Sequence, residues 1–321
     1  MNPEVLFRPF DHPKLQLKNR IAMAPMTRRF SPDGIPDDKV RDYYRTRAEG
    51  DVGLIITEGT TVPHKAASSD VQMPCFHDAA LEGWQKVVEA VHEAGGKIAP
   101  QLWHLGARRL PGQGPYPDCP TASPSGCEHP GKQVGEPLST AEINELIGVF
   151  TQSAISAVEL GFDAIELHGA HGYLIDDFFW EGTNQRDDKF GGSLVKRTRF
   201  AVEIVESIRA EIGDDFPLIL RFSQWKGQDF TARLAHNREQ LEEFVSPLSA
   251  AGVDIFHCST RRFWEPEFED SNLNLAGWVK KITGKPTISV GSVSLSEEFI
   301  ATYGDAKAEV AGIDELITRM E

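Results

Sequence analysis

One phrase recurs along the chain: a helical stretch ends at a glycine, an Asp often follows, and a short apolar strand then runs into polar residues. It is read in "EGDVGLIITEG" around Gly50, "EAGGKIAPQL" around Gly95, "ELGFDAIELHG" around Gly161 and "AAGVDIFHCS" around Gly252. Glycine suits the residue after a helix because positive φ costs it little. The phrase predicts strands at Leu54–Thr57, Lys97–Leu102, Ala164–Leu167 and Ile255–Cys258, short and mainly apolar as strands buried on both faces should be. Ile21–Ala24, Leu218–Phe222 and Thr287–Val290 are three further candidates.

Helical patterns lie between them. Ser139-x-x-Glu142 is a capping box, and the residues after it carry Ile143, Leu146, Ile147, Phe150, Ala154 and Val158 on one face. Leu81, Trp84, Val88 and Val91 repeat that spacing, as do Phe200, Ile204, Ile208 and Ile212. Alternating strands and helices with right-handed crossovers build a parallel sheet. No G-x-G-x-x-G follows the first strand, so an α/β barrel of the (β/α) type is expected rather than a dinucleotide-binding sheet. No linker divides the sequence, and residues 1–321 are expected to form one domain. The stretch 105–137 holds seven prolines and six glycines, which predicts an irregular active-site loop after the third strand.

Composition narrows the function. A net charge of −15 without any Lys/Arg block argues against nucleic acid as a partner. Cys75, Cys119, Cys127 and Cys258 show no zinc or iron–sulfur spacing, and no apolar run reaches the ~18 residues of a membrane span. A cytoplasmic protein acting on small molecules is expected.

Barrels of this kind keep their chemistry beyond the C-terminal ends of the strands. There the sequence places Pro25-Met26-Thr27-Arg28, Glu58-Gly59, Gln101 with Trp103 and His104, then His168, His171 and Tyr173. Arg221, the run Arg261-Arg262-Phe263-Trp264 and Gly291-Ser292 follow on the later strands. Three readings of His168 and His171 stand side by side. They are a metal site, a pair of N–H donors for a carbonyl or phenolate oxygen, or a turn that satisfies itself. The partners at the other strand ends, Thr27, Gln101, Arg221 and Ser292, suit an organic anion better than a metal.

Several separated motifs then carry a resemblance. They are "LFRPF" and "LKNRIAMAPMTR" near the start, "EGT" at 58, "QLWHLG" at 101, "FDAIELHGAHGYLIDDFF" at 162, "TNQRDDKFGGSLVKRTRF" at 183, "LRFS" at 220 and "ISVGSV" at 288. In this order the chain resembles the Old Yellow Enzyme family of FMN-dependent ene-reductases. The resemblance implies an eight-stranded TIM barrel with FMN across its mouth. It implies that Pro25, Met26, Thr27, Gly59, Gln101 and Arg221 contact the flavin, with Gly291 and Ser292 at its phosphate. His168 and His171 would hold a substrate oxygen, at positions where some members carry His then Asn. Tyr173 would deliver a proton, and Trp103, Phe263 and Trp264 would border the substrate.

The function so implied is reduction of the activated C=C bond of α,β-unsaturated carbonyl compounds by NADPH or NADH, with ping-pong kinetics. Arg108, Arg109, Arg261 and Arg262 are candidates for a nicotinamide phosphate. The alternatives are a metal-dependent barrel hydrolase built on His168 and His171, and a flavin-binding protein without turnover. The motif "NQRDDKFGGS" reads as a structural loop of turn residues. The last residues, "AGIDELITRME", read as the helix after the seventh strand, so the eighth strand, its helix and half of the phosphate site are expected to be missing. Roughly 40 to 50 residues are then expected to be lost, disordered or supplied by a second chain or fragment; a homodimer is a separate expectation.

Overall fold

The computed structural model describes residues 2–297 and 307–320. Its centre is a parallel sheet of seven strands: β1 (Ala22–Met23), β2 (Leu54–Thr61), β3 (Ile98–Trp103), β4 (Ile165–His171), β5 (Leu218–Lys226), β6 (Ile255–Ser259) and β7 (Thr287–Val290). Each strand pairs with its neighbours in the chain, in the order β1 to β7, curling most of the way round a barrel. Helices α1 (Asp38–Glu49), α2 (Ala80–Glu93), α3 (Thr140–Glu159), α4 (Arg199–Ile212), α5 (Arg238–Ala251) and α6 (Leu275–Thr283) cross over between them, and α7 (Asp314–Met320) follows β7. All seven predicted strands are present, and the capping box at Ser139 is formed, with Glu142 reaching back to the Ser139 N–H.

Alternation along the strands builds two cores. Outward residues such as Ile55, Ile98, Leu102, Leu167, Leu220 and Phe256 pack under the helices. Inward residues Leu54, Ile56, Ala99, Ala164, Ile219 and Ile255 fill the barrel bottom. There they meet Leu15 from an N-terminal hairpin, Phe10–His12 with Leu15–Leu17, which plugs that end. Among the described residues β1 and β7 are the sheet's edges, and both are only half-buried where the inner strands are closed on each side. Helix α7 lies against the N-terminal turn Glu4–Phe7 and buries Ile317.

The long loop is less irregular than its composition predicts. It contains a 3₁₀ turn, Gly106–Arg108, and a small hairpin, Cys127–His129 with Lys132–Gln133. Buried Arg109 donates to the carbonyls of Cys119, Gln113 and Tyr116, so it organises the loop and is not available to a phosphate. From "NQRDDKFGGS", Arg186 pairs with Asp188 and donates to the Pro124 carbonyl at 2.8 Å and to that of Leu138, so this motif is scaffolding for the long loop.

Two adjacent carboxylates in the short helix Leu174–Phe179 fix what stands above the sheet. Asp176 is wholly buried, pairs with buried Lys226 at 2.6 Å and accepts the Gly172 N–H at 2.7 Å. Asp177 accepts the Ala107 N–H at 3.0 Å. The ends of β4 and β5 and the base of the long loop are therefore tied through one turn of helix. Burial pushes the Asp176 carboxyl up and the Lys226 ammonium down, while each partner's charge pulls the other way. Removing one member of such a pair strands the other charge in the interior. Lys226→Met is expected to destabilise the fold by about 3–5 kcal/mol, read from urea unfolding; a loss below about 1 kcal/mol would show that the pair is not the clamp described.

Candidate active site

Above the C-terminal ends of the strands opens a cavity of ≈ 540 Å³. Pro25, Met26, Thr27, Gly59, Gln101, Trp103, His168, His171, Tyr173, Arg221, Gly291 and Ser292 all line it. Residues from β1 to β5 and β7, hundreds of positions apart in places, thus meet where the barrel rule puts them.

The loop after β1 is set by an anchor. Glu58, buried on β2, accepts the Arg28 N–H and the Arg28 guanidinium, each at 2.8 Å, and receives support from Tyr44, whose hydroxyl accepts the Glu58 N–H. Arg28 also stacks on the Tyr43 ring, its guanidinium carbon 3.6 Å from the centroid. This holds Pro25, Met26 and Thr27 over the barrel mouth. On the next strand, Gly59 leaves room for Trp103: an added Cβ would come to 3.3 Å from the indole ring.

His168, His171 and Tyr173 form one aromatic cluster. The His168 ring lies 5.3 Å from His171 and 5.0 Å from Tyr173, and Tyr173 meets Trp103 edge-on at 5.1 Å. A bulge in the β4–β5 pairing between Gly169 and His171 turns the chain here, and His171 takes φ +65°. Burial, then the nearby Arg221 cation, holds both imidazoles well below their usual pKa, so both are neutral at pH 7. His168 Nδ1 has no partner, whereas His171 Nε2 lies 2.8 Å from Ser259 Oγ. Arg221 is buried at the floor, 3.4 Å from Ser259 Oγ through Nη2, with its Nε unpartnered.

Phe263 and Trp264, expected beside the substrate, do not line the cavity. The Phe263 backbone is tied to Gly291 and to Asn274, and its ring packs against Trp264. The aromatic wall is made instead by Trp225, stacked on His171 at 4.4 Å, and by Phe230. Both follow Phe222, where the sequence pattern ended the fifth strand; β5 in fact continues to Lys226. Ser259 was also missed, although it sits two residues past inward-facing His257 and so shares its face. Arg108, a candidate for a phosphate, points into the cavity with its guanidinium 5.1 Å from the Tyr173 ring centroid. His104 is turned away, 2.8 Å from His64.

The donor set suits a flat, anionic, oxygen-rich ring rather than a metal. Arg221 Nε, His168 Nδ1, Trp103 Nε1 and Trp225 Nε1 are buried without partners in residues that line one cavity, and the nearest charges to the imidazoles are cationic. Among the described residues no group of three or more His, Cys, Asp or Glu converges as metal ligands do. FMN fits these residues: Gln101 and Arg221 would meet its pyrimidine edge, Pro25, Met26 and Gly59 its ring, and Gly291-Ser292 its phosphate.

Comparison with known proteins agrees. The model of the NADH:flavin oxidoreductase / NADH oxidase family matches residues 5–310. NADH oxidase of Thermoanaerobacter brockii is 37% identical over 93% of this chain and 47% of its own length. 12-Oxophytodienoate reductase 7 of Oryza sativa subsp. japonica is 36% identical over 65% of this chain and 56% of its own. The chain thus spans about half the length of these curated relatives. Among solved structures, morphinone reductase in complex with tetrahydroNAD superposes with a TM-score of 0.78 at 29% identity, covering 90% of this chain and 81% of that one. The Old Yellow Enzyme homologue of Zymomonas mobilis gives 0.77 at 26% identity, covering 97% and 95%. With its barrel, its cavity and these relatives, the chain belongs to the FMN-dependent NADH:flavin oxidoreductase family, to which Old Yellow Enzyme and its homologues also belong.

Proposed function

We propose that the protein reduces the activated C=C bond of α,β-unsaturated carbonyl compounds with NADH or NADPH, in a ping-pong cycle that uses one cavity for both reactants. The observation that carries this reading is the grouping of neutral His168 and His171, Tyr173 and the cation of Arg221 around one space. FMN, when bound, would supply the chemistry of hydride transfer to the β-carbon, with NADH or NADPH as the source of the hydride. His168 and His171 bind the carbonyl oxygen as N–H donors and draw electron density from the β-carbon. A carbonyl at this pair takes the place of Ser259 Oγ at His171 Nε2. Tyr173 delivers a proton to the α-carbon, its ring held between Trp103, His168 and Arg108. Arg221, buried in the cavity lining, would supply the fixed cation that negative charge at the pyrimidine edge needs. Trp225 and Phe230 give the wall on which an apolar substrate body packs.

Turnover of 2-cyclohexenone and maleimide with each nicotinamide, on protein carrying bound FMN, tests the reading. A yellow protein that reduces neither acceptor would overturn it. A colourless protein holding zinc would favour a hydrolase.

Three outcomes are specific to named residues. A phenol such as 4-hydroxybenzaldehyde should bind as phenolate and give a long-wavelength charge-transfer band, because two convergent donors favour the charged oxygen. The His168→Ala/His171→Ala variant should lose the band while retaining FMN; a surviving band would remove the two histidines from the oxygen site. Tyr173→Phe should slow the enone half-reaction by roughly 10²–10⁴-fold and leave flavin reduction near the wild-type rate. Equal slowing of both halves would make Tyr173 a general positioning residue. Since burial holds both imidazoles well below 6.5, enone affinity should stay flat between about pH 6 and about pH 8. A step centred near the ordinary imidazole value would contradict that.

A further inference from the structure

At and under the cavity floor, three buried side chains from three strands form a hydrogen-bonded chain, and two of them, Glu166 and His257, have no part in the chemistry above. Gln101 of β3 donates through Nε2 to Glu166 Oε1 of β4 at 2.8 Å, and Glu166 Oε2 lies 2.6 Å from His257 Nδ1 of β6. Gln101, Glu166 and His257 are 3%, 0% and 1% exposed, so water does not compete for these bonds. The chain also sits in the strands' registers, Gln101 opposite Glu166 and His257 opposite Arg221.

The chemistry of the three groups leaves one arrangement. A carboxylate only accepts, so each of its oxygens needs a donor. On one side that donor is the Gln101 NH₂; on the other it is the Nδ1–H of His257. Burial holds this imidazole below its usual value against the opposing pull of Glu166. The backbone of Gln101 is fixed as well, its N–H donating to Thr57 Oγ1 at 3.1 Å and its carbonyl accepting from Thr60 Oγ1 at 3.0 Å. With Nε2 committed downward, the amide atom left to face the cavity is Oε1. An unsupported glutamine would offer either face.

We propose that Glu166 and His257 are positioning residues that lock the Gln101 amide with its oxygen toward the cavity, so that the floor offers one acceptor beside the Arg221 cation. That pairing selects a ring edge carrying an N–H donor next to an electron-rich carbonyl or nitrogen, as the imide edge of FMN does. The inference rests on FMN being the occupant of the cavity. It states how the site fixes the polarity of its floor: a carboxylate that does not touch the ligand decides which way an amide that does touch it is turned.

Glu166→Gln tests the lock, because an amide at 166 both donates and accepts and so permits either face of Gln101. FMN affinity and the midpoint potential of the bound flavin are measured for wild type, Glu166→Gln, Gln101→Leu and the double variant. Expected are roughly tenfold or more weaker FMN binding in Glu166→Gln and a less negative potential, since a flipped amide donates toward the reduced ring. In the Gln101→Leu background the same substitution should change affinity by less than about twofold. If Glu166→Gln moves both quantities equally in both backgrounds, Glu166 acts by its charge and the lock is wrong; no change in either background also overturns it. Should Glu166→Gln not fold, Glu166→Leu in the same two backgrounds decides in the same way, because it removes the acceptor that holds the Gln101 NH₂. A wild-type protein that does not retain FMN would defeat the cofactor reading itself, a different result from an additive cycle in a yellow protein.

Discussion

The buried ion pair between Asp176 and Lys226 is the constraint on which the cavity depends. It closes the top of β5 onto the turn that follows β4, and that turn carries His171 and Tyr173. Gly172, between them, gives its N–H to the same carboxylate. Desolvating two charges is costly, and only good geometry with the remaining oxygens and protons satisfied offsets it. Lys226 meets that condition with a second bond to the Ser223 carbonyl, and Asp176 with the Gly172 N–H. Next to it, Asp177 holds the base of the long loop, so the wall bearing Arg108 moves with the helix that follows Tyr173. Three segments far apart in sequence share one rigid reference.

Below that reference the barrel interior is stratified by the two-residue period of its strands. At the bottom the inward positions are apolar and sealed by Leu15. One step up they become Gln101, Glu166 and His257, polar but closed on one another. Another step along β4 and β6 brings His168 and Ser259 to the cavity, with Arg221 contributed by β5 between them. The same alternation therefore supplies stability, support and chemistry in successive layers.

The strand–helix rhythm was legible because buried parallel strands have no polar face to hide the signal. Most of the cavity followed from it, since polar residues at the ends of apolar strands stand out. What failed has physical causes. β5 seemed to stop at Phe222 because "SQWK" is largely polar, yet those side chains are paired inside the protein: Gln224 with Glu267, Lys226 with Asp176. Ending the strand at Phe222 hides Trp225, and Phe230 lies past the end of β5 at Lys226, where no strand pattern points to it. The resemblance implies Phe263 and Trp264 beside the substrate, but aromatic character does not say which side of a loop faces in. Arg109 is a candidate for a phosphate in the sequence, but three carbonyls of its own loop take it. The Gln101–Glu166–His257 chain joins positions 65 and 91 apart, and no local pattern encodes that pairing.

The backbone at His171 carries a further consequence. Its φ of +65° lies in the left-handed region, where a Cβ crowds the following carbonyl. Histidine, asparagine and aspartate tolerate that conformation better than other side chains, and β-branched residues least of all. In the function proposed, the position also supplies a hydrogen-bond donor to an oxygen, a part that an ionised aspartate does not play. Conformation and the proposed chemistry together favour few side chains at this point of the chain: His, and the Asn that the family resemblance implies for some members. A substitution at 171 is therefore constrained twice, by the backbone conformation it must adopt and by the oxygen it is proposed to hold.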